Sequence, residues 1–136
     1  MQPGAALPAL YAGFGCRRGC PADTLEALLR QALDTLGLPL SAIAGIASIE
    51  LKADEAGLHE LADRLARPLQ LFSPAQLQPF EPLLSHRSAT AFAHSGCWGV
   101  AESTALALAY QAQGTALLLL PRLTLGPATL ALACSR

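Results

Sequence analysis

The chain has 136 residues, 52% of them hydrophobic and 14% charged, with a net charge of −1 at neutral pH. One domain with a real core is expected at that length, and the near-neutral balance leaves no electrostatic footprint for a nucleic-acid partner. The most apolar region, 100–120, is broken by Glu102, Gln111, Gln113 and Gly114, so no run approaches the roughly 20 apolar residues that a membrane span requires.

Met1 to Pro8 contains no basic residue and no extended apolar stretch; it reads as a loose tail rather than a signal peptide, which makes the cytoplasm the expected compartment. Ala9 to Phe14 is the first expected strand. It runs into Gly13-Phe14-Gly15-Cys16-Arg17-Arg18-Gly19-Cys20, a glycine-rich turn with two adjacent arginines. Glycines let a ligand approach the main chain, the helix that follows offers unpaired amides and a positive dipole end, and Arg17 and Arg18 add full charges. The same residues also fit a plain strand-to-helix turn with two solvated arginines. Pro21 suits the first position of a helix, Asp23 and Glu26 suit its dipole, and Leu25, Leu28, Leu29, Ala32, Leu33 and Leu36 form one apolar stripe. Gly37 stops that helix and Pro39 prevents its resumption.

Ile43 to Leu51 is a second, central strand, followed by the polar turn Lys52-Ala53-Asp54-Glu55. Lys52 is the only lysine. A second helix buries Leu58, Leu61, Ala62 and Leu65 and closes at Pro68. Leu69 to Phe72 is a short strand, and Ser73-Pro74-Ala75-Gln76 reads as a capping box opening a brief helix. Pro79 and Pro82 end it and leave a loop to about Ser88. Ala89 to His94 fits either a short helix or an extended piece. After the glycine-framed turn Gly96-Cys97-Trp98-Gly99, Val100 to Gln113 is a helix apolar on nearly every side, and so buried. Thr115 to Leu120 and Thr129 to Ala133, around Gly126-Pro127, read as a terminal hairpin or meander.

This order predicts a single α/β domain over 1–136: three layers, α/β/α, around a mixed, mostly parallel sheet of about five strands. In such sheets ligands sit at the carboxyl ends of the strands, where the Gly15–Gly19, Lys52 and Gly96 turns would meet. Cys16, Cys20, Cys97 and Cys134 are expected as free thiols in a reducing compartment. C-x3-C at Cys16 and H-x2-C at His94 fit poorly with zinc spacings, so neither metal nor cofactor is expected.

Four stretches then carry a resemblance: GFGCRRG from Gly13, SIELKADEAGLHELA from Ser48, SGCWGVAESTAL from Ser95 and LTLGPATLALA from Leu123. In this order the chain resembles the CobE/CbiG C-terminal family of cobalamin biosynthesis, from about Tyr11 to Ala133, and in length its free-standing CobE form. CbiG forms carry further N-terminal regions. The resemblance implies a corrin-pathway protein whose ligand is a precorrin or corrinoid intermediate; the CbiG reaction opens a δ-lactone of a cobalt-precorrin with loss of acetaldehyde. Family-typical positions are Gly13, Gly15, Cys16, Arg17, Gly19, Lys52, Asp54, Glu55, Gly96, Val100, Ala101 and Glu102. Cys20 and Arg122 depart from it, standing where relatives carry small hydroxyl residues and lysine.

A corrinoid is a wide ring fringed with carboxylates, so its site needs cations and amide donors around an apolar floor. The expected ligand-binding set is Gly15, Cys16, Arg17, Arg18, Gly19, Lys52, Asp54, Glu55, Gly96, Trp98, Gly99 and Glu102, with Phe14 and Trp98 as candidates to pack on the ring. Glu102 is the candidate general base; the structural alternative pairs it with Arg17 or Lys52, or uses it to cap its own helix. Asp54 and Glu55 equally suit a helix N-terminus. Cys16 as nucleophile lacks an evident base. His59 and His86 read as inert, leaving His94 as the histidine to test. The functions in view are a corrinoid-binding carrier, a lactone hydrolase using Glu102 or Glu50 to activate water, and a scaffold for the pathway's methyltransferases.

Overall fold

In the computed structural model, which describes residues 8–135, the first strand, β1 (Leu10–Cys16), is sorted by its own alternation. Leu10, Ala12 and Phe14 enter one core, while Tyr11 enters the other and Gly13 and Gly15 turn the same way. Of the expected tail, all but Pro8 lies outside the described residues.

The first core lies under α1 (Ala22–Leu36) and α2 (Ala56–Leu65), whose stripes Leu25, Leu28, Leu29, Ala32 and Leu33, and Leu58, Leu61 and Ala62, are buried. Gly37 ends α1 in the left-handed region, at φ 67°, and its amide returns to Asp34 O. Arg64 of α2 binds Asp23 and Glu26 of α1, at 2.8 and 3.1 Å, and Glu60 of its own helix. β2 (Ile43–Ile49) and β3 (Leu69–Phe72) follow α1 and α2 in turn.

Next come α3 (Pro74–Leu77), α4 (Ala89–Ser95), α5 (Val100–Gln113), β4 (Leu117–Leu125) and β5 (Ala128–Cys134). The Ser73 capping box is present, Ser73 Oγ accepting from the Gln76 amide and Gln76 Oε1 from the Ser73 amide. The sheet order is β3-β2-β1-β5-β4. β1–β2 and β2–β3 are parallel, whereas β1–β5 and β5–β4 are antiparallel, so β5 alone opposes the other four strands. Two steps in one direction put α1 and α2 on one face. The return across the sheet to β4 puts α5 on the other, as right-handed crossovers require. The result is the expected three-layer α/β/α domain with a mixed sheet.

α5 lies in a trough of small residues. Gly13 pairs with Ala47 on one side and Ala131 on the other, and a Cβ on Gly13 would sit 2.0 Å from Ala101 O and 2.5 Å from Ala105 N. This places the first turn of α5 over the carboxyl end of β1.

One open expectation is decided and three others change. Ala89–Ser95 is a helix, with Ser88 Oγ capping the Ala91 amide. The expected loop after Pro79 contains a 3-10 segment, Gln78–Leu83, which tolerates Pro82 because its turns are short. β2 stops at Ile49 and the chain coils into a 3-10 turn over Glu50–Lys52. β4 begins at Leu117 and continues past Leu120 through Pro121 to Leu125, with its register against β5 shifting between Leu120 and Leu123. An edge strand with a bulge can carry a proline there. Among the described residues no helix is long and apolar enough to cross a membrane.

Candidate functional site

The last residues of β1 are held from both sides. Ser48 Oγ of β2 donates to Phe14 O at 2.8 Å, and Thr129 Oγ1 of β5 donates to Gly15 O at 3.2 Å. The Arg17 amide then donates to Pro127 O in the β4–β5 hairpin at 3.0 Å, and the Cys20 amide closes a turn onto Arg17 O at 3.1 Å. Gly19, third in that turn, has φ 79°, a conformation that costs a side-chain-bearing residue strain. Arg17 and Arg18 are exposed at the mouth of the sheet's carboxyl edge.

The turn after β2 closes against this one. The Gly19 amide donates to Glu55 Oε2 at 3.0 Å. Gly57, in the first turn of α2, lies so close to the β1–α1 turn that a Cβ there would be 2.2 Å from Cys20 O. Lys52 is half-buried and near enough to Cys16 to act on its thiol. Burial nonetheless pushes that thiol up to about 11; Cys20 and Glu55 add to the rise and Lys52 opposes it. Cys16 is thus a neutral thiol near pH 7, unsuited to nucleophilic attack. Leu51, expected at the end of a strand, is 62% exposed beside Lys52 because the chain coils at Glu50. Asp54 is exposed on the same turn.

The cations sort by position. Arg30 and Arg64 are spent on carboxylates of α1 and α2, Arg87 on Glu81, and Arg67 Nε on Ile43 O. Arg17, Arg18, Lys52 and Arg122 have no side-chain hydrogen bond or ion pair among the described residues. Three of these four stand on the two adjoining turns.

The glycine-framed turn before α5 faces elsewhere. Gly96 is the left-handed cap of α4 and lies against Pro74; Gly99 lies against His86 O and Leu84. Trp98 stacks on Phe92 with centroids 4.5 Å apart, lining a cleft of about 240 Å³ with Pro74, Leu77, Cys97 and Ser103. Gly96 and Trp98 therefore pack on α3 and α4. Phe14, expected as a candidate to pack on the ring, is instead 0% exposed beneath α1 and cannot touch a ligand.

Glu102 is 1% exposed. Its partners are not Arg17 or Lys52. Oε1 accepts from the Ser85 and His86 amides at 2.8 and 3.2 Å, and Oε2 accepts from the Arg122 amide at 2.9 Å and from Ser85 Oγ. The carboxylate thereby takes up the amide freed by the β4 bulge and pins the 84–88 loop to α5. Burial alone would push its pKa up, but the bonds from Ser85, Arg122 and His86 outweigh it and hold the group below the usual carboxylate range. An acid whose lone pairs are so occupied is a poor proton acceptor. Nothing in the sequence pointed to Ser85 or to the backbone of Arg122, since the three segments are remote from one another.

His59 Nε2 lies 2.7 Å from Ala53 O and His86 Nδ1 lies 2.7 Å from Ser85 Oγ; His94 is exposed at the end of α4. Among the described residues no three His, Cys, Asp or Glu side chains are grouped to hold a metal ion.

Residues 10–133 match the model of the family described as Cobalamin synthesis G C-terminus. The protein CobE of a Sinorhizobium species is 34% identical over 97 residues, which are 71% of this chain and 63% of that one. A cobalt-precorrin-5A hydrolase of Priestia megaterium is 32% identical over 97 residues, 71% of this chain but 25% of its own length. The chain thus spans less than two thirds of these curated relatives. Among solved structures, that of CobE, a protein from the cobalamin (vitamin B12) biosynthetic pathway, superposes with a TM-score of 0.90 at 43% identity, covering 98% of this chain and 97% of the other.

Proposed function

Since the chain belongs to the cobalamin synthesis G C-terminus family, we propose that it binds a polycarboxylate precorrin or corrinoid intermediate at the carboxyl edge of its sheet, and carries it rather than transforming it. The observation that supports this reading is the set of uncompensated cations on two adjoining turns: Arg17 and Arg18 after β1, and Lys52 after β2. Unpaired guanidinium groups bind carboxylates in bidentate fashion. The exposed Leu51 beside Lys52 supplies an apolar contact for a ring bearing those carboxylates. Gly15, Cys16 and Gly19 shape the first turn, and Asp54 lies at the rim of the second.

Carriage is favoured over hydrolysis because the two candidate reactive groups are quiet. Cys16 is protonated near pH 7 and Glu102 is saturated by donors. The name of the Priestia relative keeps a lactone hydrolase as the second reading; exposed Glu50 is the base it would use. Release of acetaldehyde from a cobalt-precorrin-5A substrate, abolished in Glu50→Gln, would favour that reading.

The test of binding is an absorbance titration with hydrogenobyrinic acid. Saturable binding is expected for the wild type, and about tenfold weaker binding for Arg17→Ala, the loss typical of a charge-assisted contact. Arg30→Ala, which removes a cation already paired with Glu26, should bind as the wild type does. Equal affinities for all three proteins would overturn the placement of the ligand, and no binding by the wild type would overturn the function.

A further inference from the structure

The cations of the proposed site stand on two turns, and one side chain joins those turns. We infer that Glu55 is a positioning residue for the polycarboxylate site: through the Gly19 amide it fixes Arg17 and Arg18 against Lys52. The inference rests on the corrinoid-binding reading and adds a part to it.

Glu55 occupies the N-cap position of α2, where a side chain commonly accepts an amide of its own helix, yet it makes no such bond. Its Oε2 instead accepts from the Gly19 amide at 3.0 Å. Among the described residues this is the one hydrogen bond between the 17–20 turn and the 50–55 turn. Two residues on, Gly57 lets the main chain of α2 come against Cys20 O, where a Cβ would be 2.2 Å away. The first turn of α2 is therefore the mount on which the arginine turn sits, touching it by Gly57 and fastened to it by Glu55. The other fastening of that turn, the Arg17 amide on Pro127 O, comes from the opposite side.

The choice of partner matters as much as the bond. Glu55 lies close enough to Cys16 and Cys20 for its charge to act on both thiols, within reach of the turns that carry Arg17, Arg18 and Lys52. It forms no ion pair with any of the three among the described residues. A carboxylate bonded to a backbone amide orders the loop while leaving the guanidinium and ammonium groups without a direct ion pair to it. It also leaves two arginine side chains to be immobilised by ligand from a fixed backbone, which lowers the entropic cost of binding.

Glu55→Gln and Glu55→Ala separate this role from a simple charge effect, because both remove the negative charge and only glutamine keeps an acceptor for the Gly19 amide. In the hydrogenobyrinic acid titration, Glu55→Ala is expected to bind about tenfold more weakly than Glu55→Gln. In a background carrying Arg17→Ala and Arg18→Ala the difference between the two should vanish. NMR-detected amide exchange of Gly19 should be slow in the wild type and Glu55→Gln and fast in Glu55→Ala. Equal affinities for the two variants, or a difference that survives loss of the arginines, overturns the positioning role. Failure of the wild type to bind overturns the corrinoid reading instead, and exchange then decides the fastening alone: a Gly19 amide as protected in Glu55→Ala as in the wild type refutes it.

Discussion

Gly13→Ala should cost the protein about 3 kcal/mol or more, at the upper end of what overpacking a core does, although it adds a single methyl group. The new Cβ would lie 2.0 Å from Ala101 O, 2.5 Å from Ala105 N and 2.5 Å from Thr104 Oγ1. The first two are backbone atoms of α5, so no rotamer change relieves the overlap. Either the helix lifts from the sheet or the centre of the sheet bends, and both open voids between Tyr11, Ala47, Ala131 and the helix. Gly15→Ala is the matched control. There the close neighbour is the Thr129 hydroxyl at 2.6 Å, which can rotate away at the loss of its bond to Gly15 O, about 1 kcal/mol. Urea unfolding would measure both. A Gly13→Ala midpoint no lower than that of Gly15→Ala would mean that α5 is not seated as described.

Glu102→Ala is expected to cost about as much, by the opposite route. It removes the acceptor for the amides of Ser85, His86 and Arg122 and for Ser85 Oγ, and a buried donor left unpaired costs about 1–3 kcal/mol. The 84–88 loop lies at the surface and can rehydrate its two amides, so a total of about 3 kcal/mol is expected. Glu102→Gln should fall between, since its carboxamide accepts at one atom and opposes a donor with the other. The pH dependence has a definite sign. Because the folded protein holds Glu102 below its ordinary value of 4.5, the unfolded chain binds the proton more readily. The stability tied to this group is therefore complete above that value and is lost as the pH falls through the folded pKa. The gap in stability between the wild type and Glu102→Gln should close over that acid range, with His86 Nδ1, 3.5 Å from Glu102 Oε2, adding an attraction to the carboxylate where the imidazole is protonated. A gap independent of pH would show that the carboxylate charge is not what the donors hold.

The sequence made the layers legible where one periodicity governed a whole segment. The α1 stripe from Leu25 to Leu36, its stop at Gly37 and the Ser73 capping box each rest on residues within a few positions of one another, and they stand as read. Phe14 obeys the same logic: strand alternation groups it with Leu10 and Ala12, away from Gly13 and Gly15. The exposure of Leu51 is not legible locally, because the strand pattern runs smoothly into Lys52 and nothing nearby signals that the chain coils at Glu50. The partners of Glu102 lie 16 to 20 residues away, on a loop and an edge strand whose approach depends on the packing of α5. Burial of the acid could be read from the apolar helix around it; the identity of its donors could not. The cation pattern was half visible, since Arg17, Arg18 and Lys52 were evident as charges, but which arginines are already spent is a property of the folded chain.

The bulge at Pro121 and Arg122 has a bearing on how this chain behaves in a crowded solution. β4 is the outer strand of the sheet, and its sequence, LLLLPRLTL, leaves Leu117, Leu119 and Leu125 exposed. A straight, leucine-rich border of that length would be a template for stacking further chains. Pro121 has no amide to offer an incoming strand, and the Arg122 amide is already committed inward to Glu102. Neither residue therefore has an amide free to pair with an intruder in the middle of the border. The carboxylate that secures the 84–88 loop also helps to keep neighbouring copies from zipping together.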